Sequence, residues 1–264
     1  MDLTNVYIGF ALATFAGLST GIGSLLGLYS KFENKRLLSL ALGFSAGVMI
    51  YVSFMELLLL SFESLVGLYG HTYGQLIGVT AFIAGLLMML FIDQLFDHHS
   101  IADFISRSSN KDESLLVRTG LFSAIALAIH NFPEGFATFT AAVYDPTVGV
   151  TLATAIAIHN IPEGLAVSVP IYYATKSKAK AFWISFASGL AEPLGALIGF
   201  LIFRTVYNEA LFGASFALCA GIMIYVSLNE LLPVAKEYGK PSDPIIGVTA
   251  GIIVMAISLI LMYA

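Results

Sequence analysis

The chain has 264 residues, of which 58% are hydrophobic and 11% are charged, and its formal net charge is −5. Soluble domains average about 45–50% apolar and about 25% charged residues, so this composition excludes a cytosolic enzyme and a disordered chain. The acidic balance excludes a nucleic-acid-binding protein. A single cysteine, Cys219, excludes a disulfide framework and a cysteine-based zinc cluster. We therefore predict an all-α protein that crosses a membrane several times.

A membrane-spanning helix needs about 20 mostly apolar residues. Eight such stretches, separated by polar breaks, account for most of the chain, and we expect one integral membrane domain over residues 1–264 with a cytoplasmic loop at about 97–114. In chain order the predicted spans are Val6–Tyr29, Leu37–Phe62, Gly74–Phe96, Leu115–Val143, Thr147–Ala174, Ala181–Phe203, Leu211–Ala235 and Ile245–Met262.

The basic residues predict the orientation of these spans. If the eight spans alternate in direction, eleven of the 12 Lys and Arg residues fall on one side and only Arg204 falls on the other. Cytoplasmic loops carry the excess of Lys and Arg in membrane proteins. We therefore expect a protein of the inner cell membrane whose two termini both lie on the side opposite the cytoplasm.

Internal repeats relate the first three spans to the last three. AGVMIYVSFMELL, which starts at Ala46, returns as AGIMIYVSLNELL at Ala220, with ten of thirteen positions identical. GLSTGIGSLLG at Gly17 is likewise matched by GLAEPLGALIG at Gly189, and IGVTA occurs in both the third and the eighth span. The first and sixth spans start on opposite sides, so the repeats are inverted. This predicts a 3+2+3 arrangement: repeat A at about 6–96, a central pair at about 115–174, and repeat B at about 181–262.

The central pair carries two His-Asn-x-Pro-Glu-Gly motifs, one in each helix. In each motif the His and the Glu are one helical turn apart and share one helix face, while the Asn lies about 100° round the helix and offers an amide oxygen. Imidazole nitrogen and carboxylate oxygen without thiolate suit a divalent first-row metal. The candidate ligands are His130, Asn131 and Glu134 in the fourth span and His159, Asn160 and Glu163 in the fifth.

Glu192 adds a further carboxylate in the sixth span, immediately before Pro193, where the repeat equivalent is Thr20. Carboxylates buried without Lys or Arg at comparable depth cost several kcal/mol each unless they are protonated or bind cations. Two bridging carboxylates would hold two metals side by side, one on the histidine side and one on the asparagine side. The alternative is that the histidines only form interhelical hydrogen bonds and the glutamates are protonated.

The motifs HNFPEG and HNIPEG, together with Ala191-Glu192-Pro193, resemble those of the ZIP family of divalent-metal transporters, and the resemblance covers essentially the whole chain. It implies uptake of zinc, and also of iron(II), manganese, cobalt or cadmium, by a homodimer in which spans 1, 4, 5 and 6 move against spans 2, 3, 7 and 8. It further implies a first metal at His130, Glu134, His159 and Glu163, and a second at Asn131, Glu134, Asn160, Glu163 and Glu192.

Several weaker features are candidates for a metal entrance or exit. Two side chains one turn apart in the second span lie near the expected entrance, although Met in an apolar helix more often packs in the core. Two repeat-equivalent glutamates lie near the outer end of the second span and the inner end of the seventh. There they either collect and release metal ions or simply extend to the membrane–water interface. A polar segment at the start of the cytoplasmic loop either binds metal or is solvated. These candidates are Ser45 and Met49, Glu56 and Glu230, and Asp93, Asp97, His98 and His99.

These observations predict a secondary transporter that moves divalent metal ions into the cytoplasm by alternating access, for which inverted repeats provide two equivalent states. A metal-selective channel is an alternative, because it needs the same lined path. An intramembrane metalloenzyme is a weaker one, because the chain lacks the His-Glu-x-x-His of zinc proteases. No phosphate-binding loop is present, so neither ATP nor a catalytic cofactor is expected.

Overall fold

The computed structural model describes residues 2–29, 35–95, 111–206 and 208–263. All regular secondary structure within these ranges is helical. Two of the helical stretches contain a short π turn, at Ser53–Leu57 and at Ser227–Leu231. The helices are α1 (Leu3–Tyr29), α2 (Lys35–Val52), α3 (Leu58–Tyr69), α4 (His71–Leu95), α5 (Lys111–Tyr144), α6 (Pro146–Thr175), α7 (Lys178–Gly189), α8 (Ala191–Thr205), α9 (Glu209–Val226), α10 (Leu232–Tyr238) and α11 (Asp243–Tyr263).

These helices form eight rods, where a rod is either one helix or two consecutive helices that follow each other without a connecting loop. The rods with two helices are α2 with α3, α7 with α8, and α9 with α10. Among the described residues, seven of the rods are long and apolar enough to cross a membrane. The fourth predicted span, α5, is helical over 34 residues but is not one of these seven. The prediction of an all-helical protein with multiple membrane-capable helices is confirmed.

One predicted boundary is wrong. The second rod does not end at Phe62 but continues to Tyr69, and it ends only where Gly70 adopts a left-handed conformation with φ 76°. Gly70 has no Cβ and tolerates this conformation, which stops the helix. Helix α5 begins at Lys111, four residues before the predicted start of the fourth span at Leu115. Residues 96–110 lie outside the described part of the chain.

The sixth rod is interrupted, although hydropathy predicts one continuous span. Helix α7 ends at Gly189, and the Leu190 N–H turns back to the Ala187 carbonyl at 3.2 Å. Pro193 explains the break, because it has no N–H to donate to the carbonyl one turn earlier. Glu192 therefore lies in the first turn of a new helix, α8, instead of in the middle of a long one.

Side-chain caps fix where three other helices begin. The Asp145 side chain accepts a hydrogen bond from the Thr147 N–H at 2.7 Å, and Pro146 occupies the first position of α6. Ser177 and Asn208 cap α7 and α9 in the same manner. Each cap satisfies a backbone donor that the first helical turn leaves unpaired.

Five pairs of helices make the most extensive contacts: α1 with α6, α2 with α11, α5 with α6, α5 with α8, and α4 with α9. Glycines permit the closest approaches, because a methyl group at Gly135 would overlap the Glu192 carbonyl, and one at Gly164 would overlap the Thr20 carbonyl. Both glycines follow a motif glutamate directly, so the motifs lie where α1, α5, α6 and α8 come closest.

Candidate metal centre

The predicted ligands that the structure describes are all completely buried. Their side chains extend from three rods, α5, α6 and the one that α7 and α8 form. The side chain of His130, which belongs to α5, lies outside what the structure describes. The six buried side chains are Asn131, Glu134, His159, Asn160, Glu163 and Glu192.

His159 and Glu134 make direct contact. The Nε2 atom of His159 lies 3.1 Å from Oε1 of Glu134, and the Nδ1 atom lies 3.1 Å from the Ala155 carbonyl. A carbonyl only accepts hydrogen bonds, so Nδ1 carries the proton and the lone pair of the neutral ring is on Nε2. A lone pair and a carboxylate oxygen this close need a proton or a metal cation between them. Anchoring of Nδ1–H by a backbone carbonyl is the usual arrangement of a metal-binding histidine.

The two motif asparagines are anchored by their amide nitrogens. Asn160 donates from Nδ2 to the Ala16 carbonyl at 3.0 Å and also to the Glu192 carboxylate, while Asn131 donates to the Ser188 carbonyl at 3.3 Å. Ala16 and Ser188 are repeat equivalents, because each directly precedes the glycine that begins one of the matched segments GLSTGIGSLLG and GLAEPLGALIG. Equivalent backbone positions therefore orient both amides, and both leave Oδ1 available to the centre.

Four buried oxygens at the centre have no hydrogen-bond partner among the described residues: Oδ1 of Asn131, Oε2 of Glu134, Oδ1 of Asn160 and Oε2 of Glu192. Leaving a buried acceptor unsatisfied costs about 1–3 kcal/mol. No Lys or Arg is buried among the residues whose exposure the structure gives. Acceptor oxygens without donors and without cationic side chains fit a bound cation.

The described carboxylates and His159 do not by themselves form a compact metal cluster. Among the described side chains, no three His, Cys, Asp or Glu groups converge closely enough to hold one ion. The contacts instead fall into two pairs, Glu134 with His159 and Asn160 with Glu192. Amide oxygens and the undescribed His130 side chain are the further donors that the chain offers here.

Ser45 lies at the centre itself. Its hydroxyl donates to Oε1 of Glu163 at 3.1 Å and lies 3.4 Å from the His159 carbonyl. Met49, one turn further along α2, is completely buried within the apolar core, as the packing interpretation predicts. Sequence reasoning did not select Cys219, which contacts the Pro133 carbonyl at 3.5 Å. The repeat contained the signal, since Cys219 and Ser45 each directly precede the first alanine of the matched segments AGIMIYVSLNELL and AGVMIYVSFMELL.

The remaining entrance and exit candidates have varied surroundings. Glu56 is nearly buried in the first π turn, and the rod continues past it, so its predicted place near a helix end is wrong. Glu230 occupies the equivalent π turn. Asp93 accepts hydrogen bonds from the Tyr225 hydroxyl at 2.9 Å and from the Asn229 amide at 3.2 Å, which ties α4 to the seventh rod. Three further candidates lie outside the described residues: Asp97, His98 and His99.

Comparison with known proteins decides the family. A model of the ZIP zinc transporter family matches residues 98–259. The chain belongs to the ZIP family. It is 52% identical over 263 residues to the zinc transporter ZupT of Chlorobium chlorochromatii (strain CaD3), covering 97% of this chain and 98% of the relative. It is 49% identical over 259 residues to zinc transporter ZupT of Streptococcus mutans serotype c (strain ATCC 700610 / UA159), with 97% and 98% covered.

Membership of the ZIP family confirms the resemblance that the doubled motif predicts. ZIP proteins are transporters and not enzymes, so the intramembrane metalloenzyme alternative is excluded.

Proposed function

We propose that this ZIP protein takes up divalent metal ions, with zinc as a main cargo, through a two-metal centre formed by α5, α6 and α8. The relatives at 52% and 49% identity are both named zinc transporters. The observation that carries the proposal is the set of four unsatisfied buried oxygens on predicted ligands, together with the contact of His159 Nε2 with Glu134. Iron(II), manganese, cobalt and cadmium are included as further cargo, because the donors are nitrogen and oxygen without thiolate.

The contacts of Glu134 support its assignment as a bridging ligand. One of its carboxylate oxygens faces the imidazole of His159, and the other has no partner among the described residues. A bridging carboxylate offers one oxygen to each of two metals. We assign the first metal to His130, Glu134, His159 and Glu163, and the second to Asn131, Glu134, Asn160, Glu163 and Glu192.

The inverted 3+2+3 repeat supports transport by alternating access. Three pairs of equivalent features accompany it: the two π turns, the contacts of α1 with α6 and of α5 with α8, and the two carbonyls that anchor the asparagines. Equivalent contacts on the two sides of a site allow a protein to exchange one access route for the other.

The distribution of Lys and Arg residues and the family resemblance supply the remaining elements of the proposal. Both termini lie outside the inner membrane, and the protein forms a homodimer. In each subunit, spans 1, 4, 5 and 6 move against spans 2, 3, 7 and 8. A metal-selective channel is the second candidate. Uptake by a carrier saturates as the metal concentration rises, because each transport event requires a conformational cycle, whereas flux through a channel does not have this limit.

Metal uptake into vesicles that contain the purified protein tests the assignment. We expect H159A, E163A and E192A to reduce zinc uptake at least about tenfold, because loss of metal ligands or their partners typically costs 10–100-fold. The matched control is S215A, which removes a buried hydroxyl bonded to its own helix at the Phe212 carbonyl, 2.8 Å away. Zinc and iron uptake at the wild-type rate by all three variants would show that the site assignment is wrong. Flux that rises without saturation would instead identify a channel, and absence of wild-type flux would refute metal transport.

A further inference from the structure

Thr20 lacks the hydrogen bond that threonines in these helices normally make. Its side chain is completely buried, and its Oγ1 atom, like that of Thr138, has no partner among the described residues. Eight other helical threonines donate to the carbonyl one turn earlier, as is usual for this residue in a helix. They are Thr14, Thr80, Thr140, Thr151, Thr154, Thr175, Thr205 and Thr249.

The carbonyl that Thr20 would use is already occupied. The Ala16 carbonyl accepts from the Asn160 amide at 3.0 Å and from the Ser19 hydroxyl at 2.6 Å. Within α1 the same oxygen also accepts the backbone N–H one turn later, so three donors already surround it. The same hydrogen bond that orients the Asn160 amide therefore leaves the Thr20 hydroxyl without a local acceptor.

Thr20 packs against two glycines that lie close in sequence to predicted ligands or to the residue that anchors one. Its carbonyl touches the face of Gly164, one turn after Asn160 in α6. Its Oγ1 would lie 3.1 Å from a methyl group placed on Gly189, which follows Ser188, the anchor of the Asn131 amide. The repeat also makes Thr20 the equivalent of Glu192.

We propose that the Thr20 hydroxyl is an additional oxygen ligand on the asparagine side of the metal centre. This inference rests on the proposed two-metal centre. Five oxygen donors are assigned to that side, and Thr20 makes six. Six oxygens in octahedral arrangement suit a hard divalent ion such as Mn²⁺, whereas the histidine side suits zinc. A neutral hydroxyl at the position equivalent to Glu192 completes the shell without adding a further negative charge, which keeps the ion releasable.

The test uses purified full-length protein and measures Mn²⁺ binding by titration calorimetry, together with the unfolding midpoint with and without Mn²⁺. The informative variant is T20V, which keeps the shape and removes the hydroxyl, and T20S restores the hydroxyl. T140V is the matched control, because it removes a buried hydroxyl that is satisfied by the Phe136 carbonyl at 2.7 Å. We expect T20V to weaken Mn²⁺ affinity about tenfold, and T20S and T140V to bind Mn²⁺ as the wild type does.

The unfolding midpoint measured without metal shows whether Thr20 acts as a ligand or only as a packing residue. Removing a buried hydroxyl that has no partner leaves the metal-free protein at least as stable, so only the stabilisation by Mn²⁺ should decrease in T20V. A lower metal-free midpoint with an unchanged Mn²⁺ effect would overturn the proposal. Unchanged Mn²⁺ affinity in T20V, together with a loss in E192Q, would overturn it and leave the proposed function intact. If the wild type binds neither Mn²⁺ nor zinc, both fail.

Discussion

The close approach of α1 to α6 predicts that a single methyl group at Gly164 disturbs the metal centre. The ideal Cβ of an alanine at this position would overlap the Thr20 carbonyl and lie 2.9 Å from the Ser24 nitrogen. Both contacts are with backbone atoms, so no side-chain rotation relieves them and the helices have to separate. Gly67 in α3 is the matched control, because an added methyl group there meets nothing within 4 Å.

The expected magnitude follows from the comparison of the two alanine variants. Both gain the helix propensity of Ala over Gly, so this contribution largely cancels. Forcing a methyl group into a filled contact costs about 1–3 kcal/mol, so G164A should be that much less stable than G67A. For a chain of this length the unfolding midpoint should be lower by roughly 2–12 °C. Because Gly164 follows Glu163 directly, we also expect roughly 10–100-fold weaker zinc binding.

Thermal unfolding of the purified variants in detergent, with and without zinc, measures both quantities. The unfolding midpoint without zinc reports the helix contact, and its shift with zinc reports the centre. Equal midpoints and equal zinc shifts for G164A and G67A would refute the reasoning, since α1 and α6 would then have room for the methyl group.

Two further predictions concern polar contacts. S45A should weaken zinc binding about tenfold, because Glu163 loses the hydroxyl donor at 3.1 Å. The control S53A loses only a hydrogen bond to its own helix at 2.7 Å and should bind zinc as the wild type does. Equal zinc affinities of the two variants would contradict a role of Ser45 at the centre. D243N should lower the free energy of unfolding by about 1 kcal/mol, because it weakens the contacts with the Arg36 guanidinium at 3.1 Å and the Lys240 N–H at 2.9 Å. Zinc uptake per folded D243N molecule should stay at the wild-type level, and a loss of uptake without loss of stability would contradict this assignment.

Features that depend on local composition could be predicted from the sequence. The apolar stretches predicted the rods, because a helix that crosses a bilayer must have a minimum length and hydropathy, and both can be calculated from the sequence. The doubled His-Asn-x-Pro-Glu-Gly motif selected residues that prove to be buried together, such as Glu134 in α5 and His159 in α6, because its spacing places the His and the Glu of each motif on one face of their own helix.

Features that depend on contacts between distant residues could not be predicted. The break at Leu190 combines an available proline with tight packing of Gly189 against Gly17, which no local pattern shows. The hydrogen bond between Ser45 and Glu163 joins residues 118 positions apart. Thr20 resembles any other helical threonine in local sequence, and the use of the Ala16 carbonyl by Asn160 and Ser19 is visible only in the structure.

The paired π turns separate backbone geometry from side-chain chemistry. A π turn adds one residue to a helical turn, and Ser53–Leu57 and Ser227–Leu231 occupy equivalent positions in two matched segments. Thr20 and Glu192 also occupy equivalent positions in matched segments, but one is a neutral hydroxyl and the other is a carboxylate. Matched sequence thus brings the same helix irregularity to both segments while allowing their buried polar groups to differ.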